Sequence, residues 1–190
     1  MRAGNRVEQT SQPTTTRPDD ARDASATGIV VANARLRVLR AVAEIQRQSF
    51  RPGLAYRFSV LLTLKLLPFV TFLVARREAT GEVVGCMIGD RYRHGVRIMN
   101  VAVHPDARRQ GVGRLLLRAI ADRMPEGDLV LMVEEQNRGA QALYEAEGYT
   151  RTGFQRNYYG ANRHGIEMTL RRGVRPATRN GKPTSGTIRV

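Results

Sequence analysis

The sequence predicts an α/β fold in which a mixed central β-sheet has helices on both faces. Three observations support this fold class. Apolar residues recur at helical spacing in four segments, other segments are β-branched runs of strand length, and turns containing Gly or Pro separate them. The predicted order of elements is β-α-α-β-β-β-α-β-α-β-β. A chain of 190 residues with 42% hydrophobic residues is long enough to bury the core of one such domain.

Two helices and four strands are predicted in the first half of the domain. Residue 68 is proline, and the residue before a proline disfavours helical geometry, so the second helix ends there. Residues 79–82, Ala-Thr-Gly-Glu, form a tight turn between two antiparallel strands. The predicted elements are a strand at 29–31, helices at 36–50 and 56–67, and strands at 69–76, 82–91 and 96–103.

The second half is predicted to contain two helices and three strands. A basic, glycine-containing loop follows His104-Pro105-Asp106 and leads into the third helix. Gly148 ends the fourth helix, because glycine readily adopts the left-handed conformation found at helix C-termini. The predicted elements are a helix ending at 124, a strand at 129–133, a helix at 139–147, and a closing hairpin of strands at 150–158 and 166–170.

Composition divides the chain into three parts. Residues 1–27 are rich in Thr, Ser, Pro and Asp and lack a hydrophobic period, which is typical of a disordered extension. Residues 28–170 contain the periodic apolar pattern and form the predicted folded domain. Residues 171–190 carry six basic and no acidic side chains and are predicted to be a flexible basic tail.

The net charge of +14 is shared between this tail and the folded domain, which itself has 21 basic and 13 acidic residues. Such a surface attracts acidic or phosphate-bearing partners. No disulfide framework is possible, because Cys86 is the single cysteine, and its apolar surroundings predict that it is buried and inert. The apolar stretch 58–74 is interrupted by Lys65 and Pro68 and is too short to span a membrane. We expect a cytoplasmic protein without membrane contact.

The most informative segment is Arg108-Arg109-Gln110-Gly111-Val112-Gly113-Arg114, between a predicted strand and a helix. Its glycines allow a ligand to approach the backbone closely, and the free amides and dipole of the helix N-terminus favour a pyrophosphate. Arg109 and Arg114 add positive charge. The segment is neither a Walker motif nor a dinucleotide-binding fingerprint. Taken alone, it is also compatible with an ordinary turn before a helix.

With the strand Asn100-Val101-Ala102-Val103, this loop resembles the acetyl-coenzyme A motif of the GNAT superfamily of N-acetyltransferases, including the pattern Arg/Gln-x-x-Gly-x-Gly/Ala. Residues 137–149, Asn-x-x-Ala-x-x-Leu-Tyr-Glu-x-x-Gly-Tyr, resemble its second hallmark. Residues 156–159, Arg-Asn-Tyr-Tyr, resemble the ending of the RimI-like enzymes, which acetylate protein N-termini. The resemblance covers most of residues 28–170. It implies a GNAT fold, acetyl-coenzyme A as cosubstrate and a protein N-terminal α-amine as acceptor.

The resemblance also implies how the cosubstrate would be bound. Backbone groups of Val101, Ala102 and Val103 would bind the thioester and the pantetheine. Asn137 would contact the cosubstrate or cap the helix that follows it. The loop residues that would hold the pyrophosphate are Arg109, Gln110, Gly111, Val112, Gly113 and Arg114.

Tyr144 is the implied acid, because the resemblance places its hydroxyl near the sulfur, where it would protonate the departing thiolate. A thiol with a pKa of about 8.5 needs little help to leave, so a phenol with a pKa of about 10 is a sufficient hydrogen-bond donor and acid. Packing in the core is the alternative role for this side chain.

RimI-like enzymes carry a glutamate twelve residues before this tyrosine, and this sequence has Met132 there. Methionine cannot accept a proton. Glu134 would share a strand face with Met132 and is a candidate replacement. A solvated charge at a strand end is an alternative for Glu134. Water alone is a further alternative, because an α-amine has a pKa of only about 7.7 to 8.0.

Tyr158 and Tyr159 are candidates to line a peptide groove and to donate their hydroxyls to the substrate backbone. Adjacent tyrosines in a strand also commonly straddle a sheet, so packing is the alternative. The turn that follows lacks the acidic residues that relatives commonly place near Arg163 and His164. The substrate preference inferred from the resemblance is correspondingly open.

Two other functions compete with N-terminal acetylation. A small-molecule amine could be the acceptor, because Met132 and the altered hairpin remove landmarks of a peptide site. A GNAT-fold module without catalysis could instead contact RNA or the ribosome weakly through the basic tail. No metal is expected, because the three histidines, at positions 94, 104 and 164, lack the spacing of metal ligands.

Overall fold

A computed structural model describes residues 28–92, 95–125 and 127–172. Its strands form one mixed sheet of seven in the order β1-β2-β3-β4-β5-β7-β6. The strands are β1 Ile29–Asn33, β2 Val70–Arg77, β3 Val83–Tyr92, β4 Gly95–Val103, β5 Leu129–Glu134, β6 Thr150–Gln155 and β7 Gly165–Leu170. The helices are α1 Leu39–Ser49, α2 Phe58–Leu66, α3 Val112–Arg123 and α4 Arg138–Ala146. The predicted fold class and order of elements are confirmed. The predicted extension 1–27 and the tail from residue 173 lie outside the described residues.

One compact unit comprises residues 28–89 and 99–123. In β2, Phe72 and Val74 belong to a core cluster with residues of α1 and α2, whereas the alternate residues Leu73 and Ala75 are buried on the other face. Helix α3 contacts β1 and β2. This part of the sheet therefore has helices on both faces, as the period-two burial of its strands requires.

Cys86 lies within this core and is fully buried. Burial raises the pKa of its thiol to about 12, and the side-chain amide of Gln46 is 3.3 Å from its sulfur. The thiol is therefore protonated at neutral pH and inaccessible to a substrate. The prediction of a buried, inert cysteine is confirmed.

The second unit comprises residues 90–98 and 124–172 of the described chain. Here β5 pairs in parallel with residues 96–98 of β4 and antiparallel with β7, and β6 is the edge strand. Strand β6 ends at Gln155, so the prediction that it continues to residue 158 was wrong. Asn157 has a φ of 55°, which an extended strand cannot accommodate. Tyr158 and Tyr159 consequently lie in the loop after the strand.

Candidate active site

Successive peptide groups at the end of β4 point alternately toward the two edges of the strand. The His104 amide donates to the Val84 carbonyl of β3 at 2.9 Å. Because the peptide groups of successive residues point to opposite edges of a strand, those of Val101 and Val103 point away from β3. The described pairs between β4 and β5 end at Ile98. The backbone of Val101 and Val103 therefore lies beyond the paired part of that edge.

The three residues of β4 predicted to bind the cosubstrate are not equivalent. The Val103 carbonyl accepts hydrogen bonds from Ser49 Oγ at 3.1 Å and from Arg108 Nε at 3.3 Å. The side chain of Ala102 is buried in the core cluster. Of the two peptide groups that point away from β3, that of Val103 is therefore already hydrogen-bonded to side chains of this unit. Ser49, at the end of α1, was not among the residues predicted for the site.

The loop between β4 and α3, residues 108–113, is termed the phosphate loop. Arg109 and Gly111 have left-handed backbone angles, with φ of 63° and 79°. Its conformation is held by Arg108 and by Gln110, whose side-chain amide donates to the Asp106 carbonyl at 2.8 Å. Arg109, Gln110 and Gly111 are exposed.

Helix α3 begins at Val112, directly after this loop. The first amides of a helix have no partner within the helix, and its dipole favours an anion there. The left-handed Gly111 places these amides next to the exposed Arg109. The predicted pyrophosphate-binding residues are therefore brought together within this unit, and their donors fit a phosphate group.

A glycine of β3 determines how closely α3 approaches the sheet. A Cβ atom added at Gly85 would lie 3.0 Å from Val112 Cγ1, 3.2 Å from the Ala102 carbonyl oxygen and 3.3 Å from Leu116 Cδ1. The first turn of α3 thus packs directly on the strand backbone. Gly85 was not among the predicted site residues. A glycine within the strand Val83–Tyr92, which contains Gly85 and Gly89, is the signal that would have indicated it.

The beginning of α4 is fixed by two amide side chains. Asn137 Oδ1 accepts a hydrogen bond from the Ala140 amide at 3.1 Å, so this side chain caps the helix. The buried Gln141 donates to the carbonyls of Glu134 and Glu135 at 3.1 and 2.8 Å. These bonds tie α4 to the end of β5. Of the two roles predicted for Asn137, contact with the cosubstrate or capping of the helix, the structure shows the capping hydrogen bond.

Tyr144 lies on α4 and is only 8% exposed. Burial raises the pKa of its hydroxyl to about 12, above the value of about 10 that is usual for tyrosine. The phenol is therefore a weaker acid than a thiol by roughly a thousandfold or more. Among the described residues, no hydrogen bond to this hydroxyl is present. Tyr144 thus stays protonated and has an uncommitted donor, which suits stabilisation of a thiolate better than complete proton transfer to it.

Met132 and Glu134 share one face of β5, as predicted, while Leu131 and Val133 are buried on the other. The Glu134 carboxylate accepts hydrogen bonds from Arg163 Nε at 2.7 Å and Nη2 at 2.8 Å. This bonding raises the pKa of Arg163. With a side chain only 17% exposed, Glu134 is not the solvated strand-end charge considered above. A bidentate guanidinium also stabilises the carboxylate as an anion, which makes it a poor base.

The loop after β6 contains both candidate groove tyrosines. The Tyr159 hydroxyl donates to the Met132 carbonyl at 2.7 Å, so its proton is already hydrogen-bonded to the backbone of β5. The two rings meet edge to face, with centroids 4.8 Å apart. Tyr158 is 48% exposed. The pair does not straddle a strand, and Tyr158 is the member that presents its ring to solvent.

No group of three or more His, Cys, Asp and Glu side chains within the described ranges could hold a metal ion. His104 Nδ1 accepts from the Asp106 amide, and His164 Nδ1 accepts from the Asn157 amide. His94 lies outside the described residues. The absence of a metal stays a prediction. In the part of the chain that the structure describes, no helix has the length and apolar character needed to cross a membrane.

Comparisons with known proteins bear on the family and the fold of this chain. Residues 68–151 match the acetyltransferase (GNAT) domain family. A Bacillus subtilis protein, provisionally named a [ribosomal protein bS18]-alanine N-acetyltransferase, is 30% identical over 139 residues, which cover 72% of this chain and 90% of that protein.

The Escherichia coli K12 [ribosomal protein bS18]-alanine N-acetyltransferase is 42% identical over 65 residues. That alignment covers 33% of this chain, and the chain spans less than half the length of this relative, 44%. A crystal structure of the Escherichia coli ribosomal-protein-S18-alanine N-acetyltransferase is similar with a TM-score of 0.69 at 23% identity, covering 81% of this chain and 99% of that one. At this identity the structural likeness concerns the fold.

Proposed function

This chain belongs to the GNAT acetyltransferase family, and from that premise we propose that it transfers the acetyl group of acetyl-coenzyme A to a primary amine. The observation that carries the proposal is the phosphate loop. Its left-handed Gly111 and exposed Arg109 stand at the first turn of α3, where free amides favour a phosphate. The Val101 backbone, which points away from β3, would bind the pantetheine arm, which contains amide groups.

We further propose that the acceptor is the α-amine of a protein N-terminus. The relatives named above are, by their names, alanine N-acetyltransferases of the ribosomal protein bS18. Residues 156–159 carry the Arg-Asn-Tyr-Tyr sequence, and Tyr158 is exposed where a peptide could pack on its ring. An α-amine is also easier to deprotonate at neutral pH than a lysine side chain, whose pKa is about 10.4.

The chemistry requires no covalent enzyme intermediate. The neutral amine attacks the thioester carbonyl carbon, a C–N bond forms, and the C–S bond breaks with its electron pair on sulfur. We assign the stabilisation of that sulfur to the Tyr144 hydroxyl, whose proton is retained at neutral pH because its pKa is about 12. Cys86 cannot act as a nucleophile, because it is fully buried.

The test is a coenzyme A-release assay with purified protein and acetyl-coenzyme A. Peptides beginning with Ala, Ser, Gly or Met are compared with the same peptides blocked at the N-terminus, with a lysine-containing blocked peptide and with polyamines. Turnover that requires a free N-terminus is expected. Turnover confined to polyamines would replace the peptide by a small amine, and no turnover with any acceptor would contradict the acetyltransferase function.

A further inference from the structure

Glu167 of β7 lies directly opposite Met132 in the antiparallel pair of β5 and β7. Directly opposite residues of such a pair share a face of the sheet, with Cβ atoms about 4.5 to 5.5 Å apart. Met132 occupies the position at which the RimI-like pattern has a glutamate. The strand pairing therefore places a carboxylate beside that position, on the same face and one strand away.

The surroundings of the two carboxylates on this face differ. Glu134 is held by both nitrogens of the Arg163 fork. Glu167 Oε1 accepts a single hydrogen bond from Thr152 Oγ1, at 3.0 Å. Within residues 28–92, 95–125 and 127–172, no ion pair or further hydrogen bond involves the Glu167 side chain. One of its oxygens is thus uncommitted and can accept a proton, whereas Glu134 is stabilised as an ion-paired anion.

The edge strand is shaped to hold this carboxylate. A β-bulge between Arg151 and Gly153 makes Thr152 the extra residue of β6, and bulges commonly re-aim a side chain next to active sites. At Gly153, an added Cβ would lie 3.3 Å from the Glu167 Cβ and 3.5 Å from its Oε1. The Thr152 hydroxyl is also 2.8 Å from that of Thr169. The glycine makes room for Glu167, and the threonines fix its orientation.

Resting on the acetyltransferase function proposed above, we propose that Glu167 is the general base of this enzyme. As the amine attacks, one N–H proton passes to the Glu167 carboxylate while the nitrogen lone pair forms the bond to the carbonyl carbon. The C–S bond breaks, its electron pair goes to sulfur, and the Tyr144 hydroxyl stabilises the thiolate by donating a hydrogen bond while keeping its proton. Glu167 then releases its proton to solvent, and the thiolate takes up a proton from solvent to give coenzyme A. The balance is amine plus acetyl-coenzyme A giving amide plus coenzyme A.

The decisive variant is Glu167→Gln. Glutamine keeps an oxygen that can accept the Thr152 bond but cannot take the amine proton, so the fold is preserved while the base is lost. A general base contributes typically 10²- to 10⁴-fold. We expect kcat to fall by that factor, with the KM for acetyl-coenzyme A and the melting temperature nearly unchanged. Glu82→Gln, which alters an exposed glutamate of the β2–β3 turn, is the matched control and should keep the wild-type rate.

Moving the carboxylate from position 167 of β7 to position 132 of β5 distinguishes a catalytic role of this group from a packing role. Glu167→Met should reduce kcat as strongly as Glu167→Gln, and adding Met132→Glu should restore it at least tenfold, because the carboxylate returns to the neighbouring position on the same face. A wild-type kcat in Glu167→Gln would overturn the proposed role of Glu167 without contradicting the acetyltransferase function. A folded double variant without recovery would do the same, and would indicate a structural role. A wild-type protein without turnover on any amine would instead contradict the proposed function itself.

Discussion

Adding one methyl group at Gly85 tests whether the sheet positions the phosphate loop. In Gly85→Ala the new Cβ would lie 3.0 Å from Val112 Cγ1 and 3.2 Å from the Ala102 carbonyl oxygen. Both distances are shorter than ordinary contacts. Val112 is β-branched and therefore stiff at χ1 in a helix, and the carbonyl belongs to the sheet. The strain is relieved most easily if the first turn of α3 moves away from β3 by a few tenths of an ångström.

The expected change in the free energy of unfolding is the difference between a cost of overpacking and a gain in backbone entropy. Overpacking a well-packed core typically costs about 1 to 3 kcal/mol. Replacing glycine by alanine within a strand restores roughly 0.5 to 1 kcal/mol of backbone entropy. We therefore expect Gly85→Ala to lower the free energy of unfolding by about 1 kcal/mol, within a range of roughly 0 to 2.5 kcal/mol. For a domain of this size, each 1 kcal/mol corresponds to roughly 2 to 4 °C in melting temperature.

The assay is urea unfolding together with calorimetric titration of acetyl-coenzyme A. Acetyl-coenzyme A should bind several-fold more weakly to Gly85→Ala, because the displaced helix N-terminus no longer aligns its amides with the loop. Gly139→Ala is the matched control. At that position an added Cβ meets no atom within 4 Å, and alanine should stabilise α4. If Gly85→Ala matched this control in stability and affinity, the tight packing of α3 on β3 would be refuted.

Three further predictions concern the candidate site. Gly111→Glu or Gly113→Glu should abolish the thermal stabilisation that acetyl-coenzyme A confers, because bulk and negative charge replace the pyrophosphate; an undiminished shift would mean that the loop is an ordinary turn. Tyr144→Phe should keep the affinity for acetyl-coenzyme A but lower kcat, and the wild-type rate should show no loss from ionisation of this phenol between pH 7 and 10, since its pKa is about 12. A wild-type rate in Tyr144→Phe would relegate the side chain to packing. Glu134→Gln should lower the melting temperature while leaving kcat within about threefold, and a loss of 10² or more without destabilisation would identify Glu134 as the base.

The order of elements and the phosphate loop could be predicted because their signals are local. Apolar periodicity of 3.6 or 2 residues and the breaks at Pro68, Gly111 and Gly148 lie within single segments of the chain. The prediction that the strand runs to residue 158 was wrong for a local reason, because Asn157 has a left-handed backbone conformation that interrupts the strand. Nothing in the β-branched pattern of that segment indicated this conformation.

Sequence alone determined the fold class, the burial of Cys86 and which residues form the phosphate loop, since each depends on neighbours in the chain. Only the tertiary structure decided the partners of the carboxylates. Glu134 meets Arg163 across 29 residues of chain, and Met132 lies opposite Glu167 through the pairing of β5 with β7. Such contacts depend on strand register, and a slip of one residue would turn every side chain of β7 to the other face. The register, which no local pattern encodes, brings Glu167 opposite Met132, the residue at the position where the RimI-like pattern has a glutamate.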